Sequence, residues 1–212
     1  SIQESAVKPV EPVFLDFKKD MSQLTAKSDI PVLYKQNVTN DLFQLIYVFD
    51  MGNNNDKALG TAFDYLEYLG TSDMTPEELK SEFYRLACTF YVSPGNERTY
   101  VVLSGLNENM PAAMQLFEKL LADAQVNKEA YDNLVGDILK ARADAKLNQG
   151  QNFSRLMNYA MYGPKSPATN LLTEAELASM NPQELVDRIH NQNSYKHRIL
   201  SVSYTHLTLP TI

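Results

Sequence analysis

Strand-like and helix-like segments follow each other along this chain without regular β-α-β alternation. Three strand patterns come first, at Val13–Phe17, Pro31–Lys35 and Leu42–Phe49, where β-branched and aromatic residues are frequent. Two helical segments, a hairpin, several more helices and a last strand at Lys196–Val202 follow. This order predicts an α+β fold in which an antiparallel sheet carries helices packed on one face.

Helix starts are marked by polar residues that are followed by proline or glutamate. Thr75–Glu78, Thr173–Glu176 and Asn181–Glu184 each have the form of a capping box, in which the first side chain caps the helix. Apolar residues one helical turn apart predict helices at 59–70, from 76, at 110–124, from 128, at 152–161, from 174 and from 182.

The region after Thr75 combines a helix with a hairpin. The helix is predicted to bury Leu79, Phe83, Leu86 and Phe90 and to carry Cys88 beside this stripe. The turn sequence Pro94-Gly95-Asn96 then predicts a hairpin between strands near 89–93 and 98–106.

Composition excludes several classes of protein. The chain has 212 residues, enough for one sizeable domain, and its net charge of −7 makes it a poor binder of nucleic acid or anionic membranes. Cys88 is the only cysteine, so neither an internal disulfide nor a Cys-rich zinc site is available. The longest apolar run, Leu42 to Met51, is too short and too polar to span a membrane. The compartment, periplasmic or cytoplasmic, stays open.

The two ends of the chain differ from its middle. Residues 1–12 are polar, contain Pro9 and Pro12, and are predicted to be a linker, whereas residues 13–200 are predicted to form the domain. No signal peptide is expected, and a start without methionine suggests a piece of a longer protein. The uncharged segment 201–212 is predicted to be a tail foreign to the native protein.

The sequence contains no common catalytic or metal-binding motif. The three histidines, His190, His197 and His206, are too far apart to form the one-turn pair that binds zinc on a helix, and we expect packing or surface roles. Cys88 has no histidine nearby in the sequence to activate it, so a buried thiol is expected. Paired glutamates occur at helix starts, where the helix dipole favours negative charge.

An ordered series of motifs does point to a family. Gly70-Thr71 ends one helix, Thr75-Pro76-Glu77-Glu78-Leu79 starts the next, and Tyr91-Val-Ser-Pro-Gly-Asn-Glu97-Arg-Thr99-Tyr100 forms the hairpin. Tyr162-Gly-Pro-Lys-Ser-Pro167 comes later. This series, which extends over most of residues 13–200, resembles a domain of M16 (insulinase/pitrilysin-like) zinc peptidases. The resemblance implies a LuxS/MPP-like metallohydrolase-type fold.

The resemblance also places the family's zinc motif, H-x-x-E-H, on this chain. With Gly70-Thr71 as anchor, the two histidines fall on Thr61 and Tyr65 and the catalytic glutamate falls on Asp64. Threonine and tyrosine are poor zinc ligands, and aspartate is one methylene shorter than glutamate. On a helix these three positions share one face, either the solvent side of an amphipathic helix or the inner wall of a substrate chamber.

The third zinc ligand of the family, a glutamate on a later helix, falls near Gly136 and Asp137. A single carboxylate at Asp137 cannot hold zinc, so we expect no catalytic or metal-binding residue and no cofactor in this chain. The resemblance implies an inactive, chamber-forming and peptide-contacting domain of a zinc metalloendopeptidase. Its partners would be other M16 domains, of the same chain or of a second subunit, and zinc would lie in an active domain. A non-peptidase scaffold or binding subunit of the same fold is the alternative, and an unrelated α+β binding domain is a third.

Overall fold

The computed structural model describes residues 11, 12, 14, 16–26, 29–167 and 169–204. Within these residues six strands form one sheet in the order β1-β2-β6-β3-β5-β4. The strands are β1 (Ser22–Thr25), β2 (Pro31–Gln36), β3 (Leu42–Phe49), β4 (Cys88–Pro94), β5 (Thr99–Leu106) and β6 (His197–Ser203). No helix in the described part of the chain is long and apolar enough to cross a membrane.

The sheet is antiparallel except at one place. Strands β2 and β6 run parallel, with Val32 opposite Ile199, because the last strand inserts between β2 and β3. The short connection from β2 to β3 therefore joins two strands that are not neighbours. The predicted α+β class is confirmed, with this parallel pair as a difference from a purely antiparallel sheet.

One face of the sheet forms the core with the helices. Phe43, Leu45 and Phe49 lie on one side of β3 and are buried, whereas Leu42 and Gln44, on the other side, are exposed. Eight helices are described: α1 (Phe17–Asp20), α2 (Leu59–Leu66), α3 (Pro76–Arg85), α4 (Met110–Asp123), α5 (Lys128–Leu147), α6 (Gln149–Tyr162), α7 (Glu174–Ser179) and α8 (Pro182–His190).

Capping chemistry explains most helix starts. Thr75 and Thr173 each form the complete predicted capping box, with Glu78 and Glu176 as the returning carboxylates. Asn181 accepts a hydrogen bond from the Gln183 amide at the start of α8, without the reciprocal bond of a full box.

Two predicted elements are wrong. The strand predicted at Val13–Phe17 does not extend to Phe17, because Asp16 caps the short helix α1 and Phe17 is its first residue. Val13 and Leu15 lie outside the described residues. Cys88 and Phe90 lie in β4 and not on α3, because the helix ends at Arg85 and Ala87 takes a positive φ of 49°.

The last strand runs past the predicted domain boundary. Ser201 and Ser203 are buried in β6, which pairs with both β2 and β3. Residues 1–10 and 205–212, which make up most of the predicted linker and tail, lie outside the described part of the chain. The foreign origin of the tail stays a prediction.

Candidate functional site

Helix α2 carries Thr61, Asp64 and Tyr65, the three positions on which the M16 resemblance places the zinc motif, and contacts α8, β4 and α5. Its first amides are satisfied from the preceding loop. The Ala58 amide donates to Asp56 Oδ1 at 2.9 Å and the Gly60 amide donates to Asn53 Oδ1 at 3.0 Å. The helix is therefore held at its start by the loop and along its length by three neighbouring elements.

Tyr65 is fully buried, which contradicts the prediction that it shares an exposed or chamber-facing side with Thr61 and Asp64. Its hydroxyl donates to the Asn127 carbonyl oxygen at 2.6 Å and accepts from the Asn127 amide at 2.8 Å. Asn127 is the N-cap of α5. Burial raises the pKa of Tyr65, so the phenol keeps its proton and donates it to the carbonyl. Tyr65 is thus a structural link between α2 and the start of α5.

The link continues to a third helix. The rings of Tyr65 and Tyr131 meet edge to face, with centroids 5.8 Å apart. The Tyr131 hydroxyl donates to the Leu177 carbonyl oxygen at 2.6 Å, which ties α5 to α7. Both tyrosines contribute large apolar area and a satisfied hydroxyl to the layer between these helices.

The other two positions, Asp64 and Thr61, are accessible to solvent. Asp64 is exposed and Thr61 is half-buried. Desolvation by neighbouring protein atoms, and then the Glu67 carboxylate, raise the pKa of Asp64 above its ordinary value. The outer side of α2 therefore carries one carboxylate whose charge is slightly disfavoured by the fold.

We expect Asp64→Asn to stabilise the protein near neutral pH. Because the folded-state pKa of Asp64 is raised, its ionisation opposes folding above that pKa and has no effect below the ordinary value of 3.8. The gain is within about 0.5 kcal/mol, since water screens this exposed group. Urea denaturation at about pH 7 and about pH 3 measures it, and a gain that persists at the lower pH would contradict the assignment.

The predicted third-ligand region lies on the exposed side of α5. Gly136 and Asp137 are both exposed, and a Cβ added at Gly136 would meet no atom within 4 Å. The contact between α2 and α5 is made instead by Tyr65, Asn127 and Tyr131, near the start of α5.

These residues do not fit a zinc ion. Zinc in peptidases takes three protein ligands with nitrogen, sulfur or anionic oxygen donors. The Tyr65 oxygen is engaged as donor and acceptor with Asn127, the Thr61 hydroxyl is neutral, and only Asp64 offers a carboxylate on α2. Over the described residues, no group of three His, Cys, Asp or Glu is placed to hold a metal ion.

The remaining nucleophilic and imidazole groups have packing partners. His190 Nε2 lies 3.1 Å from the Ala124 carbonyl oxygen, and the His197 ring packs on Phe49 with centroids 4.8 Å apart. His206 lies outside the described residues. The buried Cys88 thiol donates to the Leu86 carbonyl oxygen at 3.3 Å, and burial raises the pKa of Cys88.

An open cleft of about 510 Å³ lies between α3, the end of α2 and strand β4. Its floor is apolar and includes Leu69, Phe83 and Phe90, and its sides include Tyr68 and Tyr84. Strand β4 is the last strand of the sheet among the described residues, so its outer edge has no neighbouring strand there. A cleft of this size beside a free strand edge has the features that accept an extended peptide.

Neither the cleft nor its most exposed aromatic residue is predicted from the sequence. Tyr84 is 87% exposed on α3 and lines the cleft together with the buried residues Leu79 and Phe83. An aromatic residue among the charged residues of an amphipathic helix was the one available signal. The cleft itself depends on how α3 lies against β4, which local patterns do not specify.

Solved structures that resemble this chain include three peptidase chains. It matches the periplasmic protease PqqL from Escherichia coli with a TM-score of 0.75 and 14% identity, over 91% of this chain and 22% of that chain. It matches a mutant of the ferredoxin protease FusC in complex with Arabidopsis ferredoxin with a TM-score of 0.74 and 12% identity, over 96% and 24% of the two chains. The inactive domain of peptidase M16 from Pseudomonas fluorescens matches with a TM-score of 0.74 and 14% identity, over 88% and 47%.

At these low identities the likeness shows the fold: the chain has the fold of M16 peptidase domains. It spans between 22% and 47% of the length of these solved chains. The sequence itself matches no protein-family model and no curated protein.

Proposed function

We propose that this chain is a metal-free, chamber-forming and peptide-contacting domain of an M16-type zinc metallopeptidase whose zinc site lies in another domain. Zinc in that other domain would supply the activated water for peptide-bond hydrolysis. Other domains are part of this proposal because the matched region makes up only 22% to 47% of the solved chains of this fold.

One observation carries the proposal of inactivity. The M16 resemblance places the second histidine of the zinc motif at position 65, and this position holds a packing residue. Tyr65 is buried, and its hydroxyl both donates to and accepts from the backbone of Asn127. A second imidazole could not replace it without breaking this contact. The three histidines at 190, 197 and 206 lie on other elements or outside the described residues.

The cleft beside β4 supports the peptide-contacting part. An extended peptide can add its backbone hydrogen bonds to the free edge of β4 and place alternate side chains in the apolar floor around Phe83 and Phe90. Tyr84 stands at the side of this floor with most of its ring exposed. Aromatic side chains in such positions contribute strongly to peptide binding.

Metal analysis combined with peptide cleavage tests the proposed inactivity. The purified chain is expected to contain no stoichiometric zinc and to leave casein peptides intact when zinc is added. Zinc bound one to one, or hydrolysis that a chelator stops, would overturn the proposal. In a longer protein that includes this chain, we expect an H-x-x-E-H motif in another domain.

We expect Tyr84→Ala to weaken peptide binding about three- to tenfold, the factor that corresponds to the loss of one aromatic contact. Fluorescence anisotropy with fluorescein-labelled casein peptides measures the dissociation constant. Tyr159→Ala is the matched control, because Tyr159 is 49% exposed on α6 and neither lines the cleft nor belongs to β4. Equal effects of the two substitutions, or no peptide binding by the unsubstituted chain, would contradict a peptide site in the cleft. Either result would favour the alternative of a non-peptidase scaffold subunit.

A further inference from the structure

The two ends of the β4–β5 ladder determine which backbone groups of β4 face its free edge. The Gly95 amide donates to the Arg98 carbonyl oxygen at 2.8 Å, and the Leu106 amide donates to the Ala87 carbonyl oxygen at 3.4 Å. Both pairs continue the regular antiparallel register of the two strands, in which hydrogen-bonded pairs recur at every second residue. Residues 89, 91 and 93 therefore direct their amide and carbonyl groups to β5.

The alternate residues of β4, Cys88, Phe90 and Val92, direct these groups to the free edge. Pro94 lies at the same alternation and supports this assignment, because proline is tolerated in an edge strand where its missing amide proton would face away from the neighbouring strand. Alternate residues of an extended chain are about 7 Å apart, so the edge offers donors and acceptors at this spacing. A second extended backbone is the ligand that matches it.

The residues whose backbone faces the free edge also have their side chains on the cleft side of the sheet. Cys88 is buried, and the Phe90 ring packs on Phe83 of α3 with centroids 5.0 Å apart. Tyr91, the next residue, is exposed on the other face. Residues directly opposite each other in neighbouring strands have their side chains on the same face. A peptide residue opposite Phe90 therefore points into the cleft, and the residues before and after it point to the outer face.

The cleft is suited to uncharged side chains. One acidic and one basic residue line it, Glu67 and Lys80, so the lining has no net charge that would attract an ion. Cys88 and Phe90 both line the cleft, whereas Val92 does not. Two peptide positions, opposite Phe90 and opposite Cys88, therefore meet apolar surface, and one residue separates them.

We propose that this cleft selects extended peptides in which two apolar side chains are separated by a single polar residue. The inference rests on the peptide-contacting role proposed above and adds the class of peptide that the site takes. The two apolar side chains enter the cleft opposite Phe90 and Cys88, and the backbone pairs with the free edge of β4. The side chain between them points to the outer face of the sheet and stays in water, so a charged residue is tolerated there.

Two peptides of identical composition test this selectivity on the full 212-residue chain. The first is fluorescein-Gly-Ser-Leu-Lys-Leu-Ser-Gly-amide, and the second is its isomer fluorescein-Gly-Ser-Lys-Leu-Leu-Ser-Gly-amide. In an extended conformation the first presents both leucines on one face, whereas the second presents only one leucine to the cleft. By fluorescence anisotropy the first is expected to bind at least about tenfold more tightly, the factor for burying one more leucine side chain.

The tyrosine variant locates this preference in the cleft. Tyr84→Ala is expected to weaken binding of the first peptide about three- to tenfold, as for the casein peptides. Equal binding of the two isomers, with casein peptides still bound, would overturn the alternating selectivity and leave the peptide site itself standing. A preference between the isomers that comes with no effect of Tyr84→Ala on either would also overturn it, because the selecting surface would lie elsewhere. If neither isomer nor the casein peptides bind, the peptide site fails and this inference fails with it.

Discussion

Replacing Tyr65 by alanine is expected to lower the free energy of unfolding by about 3–5 kcal/mol, the range for deleting a large buried aromatic side chain. The side chain is fully buried between α2 and α5, and its ring packs on Tyr131. Its loss also leaves the Asn127 amide and carbonyl without their hydroxyl partner at the start of α5. Urea denaturation monitored by circular dichroism measures the effect.

Tyr65→Phe separates the hydroxyl from the ring. It keeps the packing but removes two hydrogen bonds to Asn127, and we expect a loss of about 1–3 kcal/mol. If Tyr65→Phe were neutral, the hydroxyl would not brace α5. Tyr68 is 42% exposed and serves as the comparison. If Tyr65→Ala lowered the free energy of unfolding by less than Tyr68→Ala, Tyr65 would not be a core residue.

The burial of Tyr65 also explains why the sequence analysis misplaced it. Leu59, Ala62, Phe63 and Leu66 form an apolar stripe, and Tyr65 lies just outside it on a helical wheel. The apolar stripe identifies one buried side of α2. The adjacent side, which carries Tyr65, is covered by α5, more than 60 residues later in the sequence. A second covering element of this kind leaves no local pattern, so only the assembled fold reveals it.

Elements with local chemistry were predicted well. Strand β3 has its predicted bounds, and the capping boxes at Thr75 and Thr173 start helices as expected, because each depends on residues within four positions. The end of α3 was predicted less accurately. Phe83, Leu86 and Phe90 match helical spacing, although the chain leaves the helix at Ala87 and Phe90 belongs to β4.

The M16 resemblance assigns Thr61, Asp64 and Tyr65 to the zinc-motif positions, and this assignment stays a prediction. Thr61 and Asp64 face outwards on α2, and Asp137 is exposed on α5, so these positions keep surface roles. Among these positions, Tyr65 belongs to the core. A phenol that both donates and accepts suits a buried helix start, whereas a zinc-bound imidazole needs a free coordination direction. The two uses of this position are therefore mutually exclusive.

Replacing Gly70 by alanine is expected to destabilise the protein by about 2–3 kcal/mol, as overpacking does in a tightly packed region. A Cβ at Gly70 would lie 2.3 Å from the Met74 carbonyl oxygen, and that oxygen accepts a hydrogen bond from the Thr71 amide at 2.9 Å. The Gly70 carbonyl in turn accepts from the Gln125 amide at 2.9 Å, so the backbone is held on both sides. This close approach is the physical reason for glycine in the Gly70-Thr71 pair.

Gly136→Ala is the matched control and is expected to act in the opposite direction. The new Cβ meets no atom within 4 Å, and Gly136 lies inside α5, where alanine favours the helix by up to about 1 kcal/mol over glycine. Urea denaturation of both variants gives the comparison. Were Gly70→Ala as well tolerated as Gly136→Ala, the turn at 70–74 would be able to shift, and its glycine would not be required by packing. Opposite signs would instead show that glycine is required in the turn that follows α2 and is dispensable at Gly136, where the M16 resemblance places the third zinc ligand.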